Sequence, residues 1–542
     1  MTSINYSDKN FLIIDNIKPS HDVLKKYALS ITSKPIDSTY FAKDALSLCL
    51  EKKYDVILLG YDLGEKQKNG QQLLEELRVS EVISRHCIVI MITAEISQSM
   101  VLAALEHKPD SYLCKPYTTK ELSKRLNNCL RKKEAMSEIY DALENDNKGL
   151  IIDLVNEALN KETPYRLECL GIKSRQFFDL KQYTEAKDIY LKNQNETNCT
   201  WAKIGLGKIA LEENELSTAE EIFKEIVKQK PFYLPGYDWL ATTYEKIYNS
   251  KSAEDILEHA LRLSPRSVAR VKKYANLCFE NNHFEKATSA YKKVYDLAYN
   301  SIHHCPDNAF LFAKSLASYS SDLPITEAKK MNNKAFSMFS QVNKSFNQPE
   351  VRIQSYLFSA WLLENINDYI IANTKIELGI KLLEKEQINI DSNNLKSIAE
   401  TLIKLKRHGK ASQLLLSADQ HPDDINISLD KIENTQTYQE ESYAVRAQKA
   451  LNIGKELYEL NKLDESVASL TEALQLFPNH NGIKLNLLQV LLGTYENDKL
   501  RITEFKQAKK ILIGLINVIK SRDEDYRFRK LKTKFQQLNT RR

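Results

Sequence analysis

Glycine and proline are scarce in this sequence, which has 14 glycines and 13 prolines among 542 residues. Disordered chains and chains built of many short strands and turns use both residues more often. The hydrophobic share of 42% and the charged share of 27% are typical of a folded globular protein. We therefore expect a mainly helical protein. Because a single hydrophobic core stops growing at roughly 250 to 300 residues, we also expect two or more domains.

Long apolar runs and an excess of one charge are also missing. The start, MTSINYSDKN, lacks the basic and apolar regions of a secretory signal, and no apolar run approaches the roughly 18 residues that span a bilayer. The 77 basic and 72 acidic residues give a net charge of only +5, so no overall field favours nucleic acid or a membrane. These absences predict a cytoplasmic protein that binds neither.

Sequence signatures of catalysis and of metal binding are absent as well. The eight cysteines form no C-x-x-C pair and are expected to be small buried hydrophobic residues. The adjacent His303, His304 and Cys305 bring no second ligand pair, which favours an ordinary loop over a metal site. No P-loop, Gly-x-Ser-x-Gly or His-Glu-x-x-His motif is present. We predict a protein that is not an enzyme and has no cofactor.

Short apolar runs alternate with amphipathic segments in the first 125 residues or so. The runs occupy residues 11–14, 56–59, 88–92 and 112–113. Strands separated by helices in this way form parallel sheets covered on both faces, so the predicted fold is a doubly wound α/β domain. Functional side chains of such folds gather at the carboxyl ends of the strands.

The residues near these strand ends resemble the receiver domain of bacterial response regulators, over about residues 8 to 130. The residues that carry the resemblance are Asp15, Asn16, Gly60, Asp62, Thr93, Tyr112 and Lys115. In that family an acidic pair and a phosphoacceptor aspartate hold Mg²⁺, a Thr or Ser and a Lys contact the phosphoryl oxygens, and an aromatic residue reports the change. The resemblance implies these roles for Thr93, Lys115 and Tyr112, and a proline in cis at Pro116.

Two positions depart from the family pattern. Asn16 replaces one acid of the pair, and Gly60 stands in the phosphoacceptor column, with Asp62 two residues too late. Glycine has no oxygen nucleophile, and Asp15 alone remains as a Mg²⁺ ligand, so phosphorylation should fail and Mg²⁺ binding should be weak or absent. We interpret the domain as a pseudo-receiver in which Lys115 pairs with Asp15. The alternatives are a phosphorylatable receiver that uses Asp62 and a receiver relic that only dimerises or packs on the solenoid.

Small residues recur every 34 positions farther along the chain. The recurring positions are Ala219, Ala253 and Ala287, then Gly207, Ala241 and Ala275, and the prolines Pro231 and Pro265. This period, with small residues where two helices touch, is the signature of the tetratricopeptide repeat. A late unit shows the same pattern from Gly454 to Pro478. Stacked repeats form an all-helical superhelix whose groove binds partner proteins.

The predicted organisation has five parts. They are a degenerate receiver at residues 1–130, a helical linker at 131–165, tetratricopeptide repeats at 166–300, degenerate helical repeats at 301–445, and a repeat with capping helices at 446–542. The basic segment 527–542 is interpreted as a capping helix, with a contact to nucleic acid or an acidic partner as the alternative.

This architecture resembles that of VieB-type auxiliary response regulators. The resemblance implies a non-catalytic adaptor in a two-component pathway. Its pseudo-receiver would dock a sensor kinase or another response regulator, and its repeats would bind an output protein. A structural scaffold that dimerises through its receiver remains the alternative from another class. The identity of the partners and the oligomeric state, with a homodimer possible, stay open at this point.

Overall fold

The computed structural model falls into two compact units, Met1–Asp424 and Ile425–Arg542. The described residues are 5–64, 67–94, 97, 98, 102, 106, 109–197, 199–320, 323–386, 390–418, 443–476, 481–497, 502–515 and 522–540. Pro478, which the repeat pattern singles out, lies outside them.

The first unit begins with a five-stranded parallel sheet of order β2-β1-β3-β4-β5. The strands are β1 Phe11–Ile14, β2 Asp37–Thr39, β3 Val56–Gly60, β4 Ile88–Thr93 and β5 Ser111–Cys114. Strands β1, β3 and β4 are buried along their whole length, because helices cover both faces of the sheet. The doubly wound α/β fold that the apolar runs predict is confirmed.

Strand β2 is the element of this sheet that the apolar runs did not predict. Its sequence, Asp-Ser-Thr, contains no apolar residue. It pairs only with β1, where Ile13 lies opposite Ser38. An edge strand can be polar because only one of its sides joins the ladder and its faces are partly open to solvent.

Helices follow the strands of this domain. They are α1 Lys18–Leu29, α2 Ala42–Glu51, α3 Gly70–Val79 and α4 Thr119–Ala135. Helix α3 begins at a capping box in which Asn69 and Gln72 bond each other's backbone N–H, and Thr118 and Glu121 start α4 in the same way. Each reciprocal cap satisfies two backbone donors that have no partner within the helix. The cap at Asn69 fixes the start of α3, which lies near the carboxyl ends of the strands.

Two short helices join the sheet domain to the repeats. They are α5 Ser137–Glu144 and α6 Lys148–Asn160. Ile139, Tyr140 and Ile151 share a hydrophobic cluster with Cys169 of the next helix. The predicted linker is therefore a packed helical hairpin that continues into the repeats.

Four helix pairs follow with a regular spacing. They are α7 Arg166–Asp179 with α8 Tyr183–Asn193, α9 Thr200–Glu212 with α10 Leu216–Gln229, α11 Leu234–Lys246 with α12 Ser250–Leu263, and α13 Val268–Glu280 with α14 Phe284–Ala298. The first helices start at residues 166, 200, 234 and 268, which is the 34-residue period of the sequence. A residue in the left-handed region joins the helices of each pair: Lys181, Asn214, Tyr248 and Asn282.

Small residues let the paired helices approach closely. Ala219, Ala253 and Ala287 of the second helices are fully buried, as are Ala241 and Ala275 of the first helices. Gly207 faces Phe223, whose Cζ lies 2.5 Å from where a Cβ of residue 207 would stand. The repeat columns therefore mark the helix contacts.

Longer helix pairs complete the first unit. They are α15 Asp307–Tyr319 with α16 Ile325–Ser345, α17 Pro349–Glu364 with α18 Tyr369–Glu386, and α19 Ser392–Lys404 with α20 His408–Ala418. One core extends from the 34-residue repeats into α17 through residues such as Phe310, Phe339 and Phe358. A second hydrophobic cluster extends from α17 to Leu414 in α20.

The second unit is also helical. Its helices are α21 Tyr443–Glu459, α22 Leu463–Leu476, α23 Asn481–Asn497, α24 Ile502–Leu515 and α25 Arg522–Thr540. Phe528, Leu531 and Phe535 bury the apolar face of α25 in this unit's core, and Arg527 donates to Asn486 and Gln489. The basic end of the chain thus forms an amphipathic terminal helix. Throughout the described ranges, every helix is too short or too polar to cross a membrane.

Candidate functional site

A cavity of about 430 Å³ lies at the carboxyl ends of β3, β4 and β5. Gly60, Asp62, Thr93 and Lys115 line it, together with Arg266 from the repeats. Four of the predicted site residues therefore share one cavity. Arg266 was not predicted, and no motif in the sequence marks it.

Asp15 is the buried centre of the hydrogen bonding at this edge. Its side chain is 1% exposed, and Lys115 Nζ donates to its Oδ2 over 2.8 Å. Ser20 Oγ donates to the same oxygen over 2.6 Å, and the Ile17 N–H donates to Oδ1 over 2.9 Å. The pairing of Lys115 with Asp15 is the one that the sequence analysis expected. It neutralises a carboxylate that would be costly to bury alone.

Gly60 ends β3 directly beside Asp15. A Cβ at this position would lie 3.1 Å from the Ile14 carbonyl oxygen and 3.3 Å from Asp15 Cγ. These distances are tight but leave room for a small shift. The site therefore has no carboxylate where the family places the phosphoacceptor, and Asp15 occupies the adjacent space.

Asn16 and Asp62 do not share the hydrogen bonds that Asp15 accepts from Lys115 and Ser20. The Oδ1 atom of Asn16 is buried and has no hydrogen-bond donor among the described residues. Asp62 is exposed, and its Oδ1 accepts a hydrogen bond of 2.9 Å from the Gly64 N–H. The carboxylate of Asp62 thus stabilises the turn formed by residues 62–64.

Thr93 and Tyr112 occupy the positions that the family uses for its switch. Thr93 is buried at the end of β4. Tyr112 in β5 is half-buried and packs against the hydrophobic cluster that contains Leu59 and Met91. The peptide bond between Lys115 and Pro116 is cis, as the resemblance implied.

The residues present fit Mg²⁺ poorly. Mg²⁺ requires hard oxygen ligands in near-octahedral geometry. Asp15 is the one carboxylate left at the family's positions, and both of its oxygens already accept hydrogen bonds. The carbonyl oxygen of Asn16 is a weaker ligand than a carboxylate.

Arg266 brings the repeats to the edge of the cavity. It follows Pro265 in the turn between α12 and α13, and its Nη1 donates to the Tyr61 hydroxyl over 2.8 Å. Tyr61 is buried directly after Gly60. The end of β3 therefore touches a residue that lies about two hundred positions later in the chain.

Further polar contacts join the N-terminal domain to the same repeats. Arg270 Nη1 donates to Glu106 Oε1 over 3.0 Å, while two other nitrogens of its guanidinium bond the carboxylate of Asp238. The side chain of Arg270 is only 5% exposed. Ser264 Oγ donates to the same Glu106 oxygen over 2.8 Å. Burial of a doubly paired arginine indicates a specific contact between the two domains.

Helix α3 makes the other half of this contact. Gln72 Nε2 donates to the Leu297 carbonyl oxygen over 3.1 Å, and His303 Nε2 lies 2.8 Å from Glu75 Oε1. The hydrogen bond to Glu75 raises the pKa of His303, although burial and the charge of Lys272 oppose the shift. His303 is thus part of the domain contact. Its neighbour His304 packs instead against Tyr299 and Phe346.

A separate group of potential metal ligands lies where the sheet domain meets α5. The ligand atoms of His86, Asp141 and Glu144 all lie within 4.8 Å of one another, the one such group in the described part of the chain. His86 Nε2 bonds Asp141 Oδ1 over 2.9 Å, and Glu144 accepts from the Arg85 N–H. Because the three groups satisfy one another or the backbone, we assign them a structural role.

Comparison with known families identifies two parts of the chain. Residues 11–127 match the family model of the response regulator receiver domain. Residues 450–480 match the family model of the tetratricopeptide repeat.

Solved structures with similar parts include two receiver proteins. A CheY-like receiver domain protein from Methanospirillum hungatei is 20% identical, with 23% of this chain and 96% of the other covered and a TM-score of 0.21. A two-component response regulator from Clostridium difficile is 28% identical, with coverage of 23% and 97% and a TM-score of 0.20. A C-terminal part of a TPR repeat-containing protein from Cytophaga hutchinsonii is 16% identical, with coverage of 45% and 93% and a TM-score of 0.35.

Proposed function

We propose that this chain, a two-component signalling protein with a receiver domain and a protein-interaction region of tetratricopeptide repeats, is a non-catalytic cytoplasmic adaptor. Its receiver is a pseudo-receiver that docks a sensor kinase or another response regulator without accepting a phosphoryl group. Its repeats bind an output protein.

The observation that carries this proposal is the glycine at position 60. Phosphoryl transfer to a protein needs an oxygen nucleophile held in line with the leaving group, and Gly60 has no side chain to supply one. The ion pair between Lys115 and Asp15 supports the same conclusion, because it engages the lysine that would contact the phosphoryl oxygens.

Asp62 is the residue that could replace the missing acceptor. Its side chain reaches the edge of the cavity, but its carboxylate accepts the Gly64 N–H and faces solvent. Use of Asp62 would require this turn to open and the carboxylate to move beside Lys115. The geometry therefore favours the pseudo-receiver over a phosphorylatable receiver.

The contact between the domains gives the pseudo-receiver a way to influence the repeats. Tyr61, Gln72, Glu75 and Glu106 of the receiver bond residues between Ser264 and His303. The receiver thus contacts α13, α14 and the turns beside them. We propose that a protein docked on the receiver acts on the repeats through this contact.

Intact mass of the full chain after incubation with Mg²⁺ and acetyl phosphate tests the proposal. We expect no phosphoryl adduct in the wild-type protein or in Asp62→Asn. A receiver domain with its acceptor aspartate intact serves as the positive control under the same conditions. An adduct that forms on the wild-type chain and disappears in Asp62→Asn would replace the pseudo-receiver by a working switch.

A further inference from the structure

Another cavity, of about 280 Å³, lies between the first helices of three successive pairs in the repeat region. Asp307 and Phe310 of α15, Glu350 and Gln354 of α17 and Asn394 of α19 line it. All of its described wall residues lie far from the receiver in the chain. Drug-sized ligands occupy roughly 300–1,000 Å³, so this smaller volume suits a single side chain better than a whole small molecule.

The charge on this wall is negative. Asp307 and Glu350 are its charged side chains, and within the described structure neither carboxylate accepts a hydrogen bond or joins an ion pair. Both residues lie in the first turn of a helix, where the helix dipole favours a carboxylate. Because the positive end of that dipole amounts to about half an elementary charge, each helix start keeps a net negative charge at the wall.

Gln354 presents a buried acceptor to the same cavity. It is only 3% exposed. The ionised carboxylate of Asp391 can only accept hydrogen bonds, so it orients the side-chain nitrogen of Asn394, which donates to Asp391 Oδ2 over 2.6 Å. The Asn394 oxygen then accepts from Gln354 Nε2 over 3.5 Å. This order of bonds leaves Gln354 Oε1 as an acceptor without a donor among the described residues.

Aromatic rings complete the wall. Phe310 and Phe346 line the cavity, and Phe346 also packs against His304, with ring centroids 5.2 Å apart. Burial lowers the pKa of His304, so this histidine adds no positive charge near the cavity at neutral pH. An aromatic ring attracts a cation that lies over its face. Carboxylates, an amide oxygen and aromatic rings together suit an organic cation that carries N–H donors.

We propose that this cavity binds a basic side chain, the guanidinium of an arginine or the ammonium of a lysine, that belongs to the protein partner of the repeats. The proposal rests on the proposed function, which gives the repeats such a partner. The docked group donates to Gln354 Oε1 and pairs with the carboxylates of Asp307 and Glu350. Its aliphatic stem packs against Phe310 and Phe346. The site thus selects a partner segment of positive charge.

Saturation-transfer NMR of the full chain, titrated with N-acetyl-arginine N-methylamide at constant ionic strength, tests the proposal. This probe mimics an arginine within a peptide. We expect saturable binding with a dissociation constant of about 1 mM, which a few charged hydrogen bonds can supply. Glu350→Gln should weaken the binding about ten-fold, because a charged partner of the guanidinium is lost. The neutral N-acetyl-citrulline N-methylamide, which has a similar shape without the charge, should also bind about ten-fold more weakly.

Glu327→Gln is the matched control. Glu327 lies in the first turn of α16, is exposed and does not line the cavity. Both substitutions remove a carboxylate from a helix start, so both should lower the stability of the protein slightly. Only Glu350→Gln should change the affinity for the arginine mimic.

Four results would overturn this site. The first is the lack of saturable binding of the arginine mimic to a wild-type chain that unfolds cooperatively. The second is equal affinity in the wild-type, Glu350→Gln and Glu327→Gln proteins, which would place the cation elsewhere. The third is equal binding of the arginine and citrulline mimics. The fourth is binding of spermidine without binding of the arginine mimic, which would identify a free polyamine as the ligand.

The outcome of this titration is independent of the mass measurement that tests the pseudo-receiver. The titration uses no phosphoryl donor, and the substituted residues lie outside the receiver pocket. A receiver that accepts a phosphoryl group would therefore leave the cation site intact. Loss of the cation site would likewise leave the pseudo-receiver unchanged.

Discussion

Single residues decide the chemistry of the receiver pocket. The Asp15 carboxylate accepts hydrogen bonds from Lys115, Ser20 and the Ile17 N–H. Loss of the acceptor carboxylate at Gly60 leaves one acidic group where the family has three. With fewer like charges to separate, Lys115 can stay with Asp15. We therefore expect the pocket to have little affinity for Mg²⁺, and it has no nucleophile at the position of Gly60.

Restoring the two lost carboxylates should restore the metal site. Asn16→Asp combined with Gly60→Asp returns the oxygen ligands that Mg²⁺ requires, so calorimetry should detect Mg²⁺ binding to the double variant. Gly60→Asp alone should bind little Mg²⁺. It should also lower the free energy of unfolding by about 1–3 kcal/mol, because its Cβ crowds Ile14 and Asp15.

Gly60→Ala separates crowding from charge in this experiment. It adds the same Cβ without a carboxylate, so its loss of stability measures the crowding alone. A double variant that folds but takes up no Mg²⁺ would show that the pocket has diverged at more than these two positions.

Which side chains meet in the pocket was largely visible in the sequence. The pair of Asp15 and Lys115 was expected because both residues follow strands at the same edge of the sheet, and Gly60 was identified from the register of β3. The conformation of Asp62 was not predicted, since its bond to the Gly64 N–H depends on a turn in which Gly64 has a φ of 113°. Such a turn is a local choice that strand periodicity does not report.

At the scale of helices and strands, the sequence pattern was informative where packing is periodic. Helices α9, α11 and α13 start 34 residues apart, as the small residues of the repeat columns predict. Strand β2 was missed, because Asp37 to Thr39 form a polar edge strand that one neighbour holds in place. Periodicity predicts elements that bury a face and fails for elements held mainly by backbone hydrogen bonds.

The contact of Gly207 with Phe223 offers a test of the repeat packing. Gly207→Ala should destabilise α9 and α10 by about 1–3 kcal/mol, because the new Cβ would stand 2.5 Å from Phe223 Cζ. Urea-dependent hydrogen exchange in these two helices measures the change. Gly149→Ala is the control, since its nearest neighbour would be 3.9 Å away, and it should be neutral or slightly stabilising.

The next repeat suggests a compensating change. One period later the same two columns hold Ala241 and Leu257. Combining Gly207→Ala with Phe223→Leu should therefore cost less than the sum of the two single substitutions. Additive losses would mean that these side chains do not limit the approach of the helices.

At the scale of the first unit, packing of the receiver on the repeats was one alternative, but the residues that make the contact could not be predicted. The contact joins Tyr61 to Arg266 and Glu106 to Arg270, pairs more than 160 residues apart in the chain. One period earlier, the columns of the two arginines hold Phe232 and Gly236, so the repeat pattern gives them no special role. Complementarity between two surfaces depends on how the domains pack, which no local pattern encodes.

The pair of Glu75 and His303 should make this contact depend on pH. Glu75 raises the pKa of His303 above its usual value of 6.5 in the docked state. The stabilisation is therefore complete below about pH 6.5 and is lost as the pH rises through the raised pKa. A double-mutant cycle with Glu75→Gln and His303→Gln, followed by thermal unfolding over a pH series, measures the coupling.

We expect this coupling to be favourable in mildly acidic solution and to fall towards zero in alkaline solution. Lys272, which opposes the protonation of His303, should keep it modest. A coupling that stays constant across the series would mean that the contact does not use the charge of His303.

We expect the receiver to rest on the repeats in one state that phosphoryl donors do not change. Hydrogen exchange of α3 and α13 in the full chain tests it, with Mg²⁺ and acetyl phosphate added to one sample and inorganic phosphate held equal in both. One unchanged state requires the same protection of these two helices with and without the donor. A donor-dependent loss of protection would contradict it and would show that the domain contact is a phosphorylation switch.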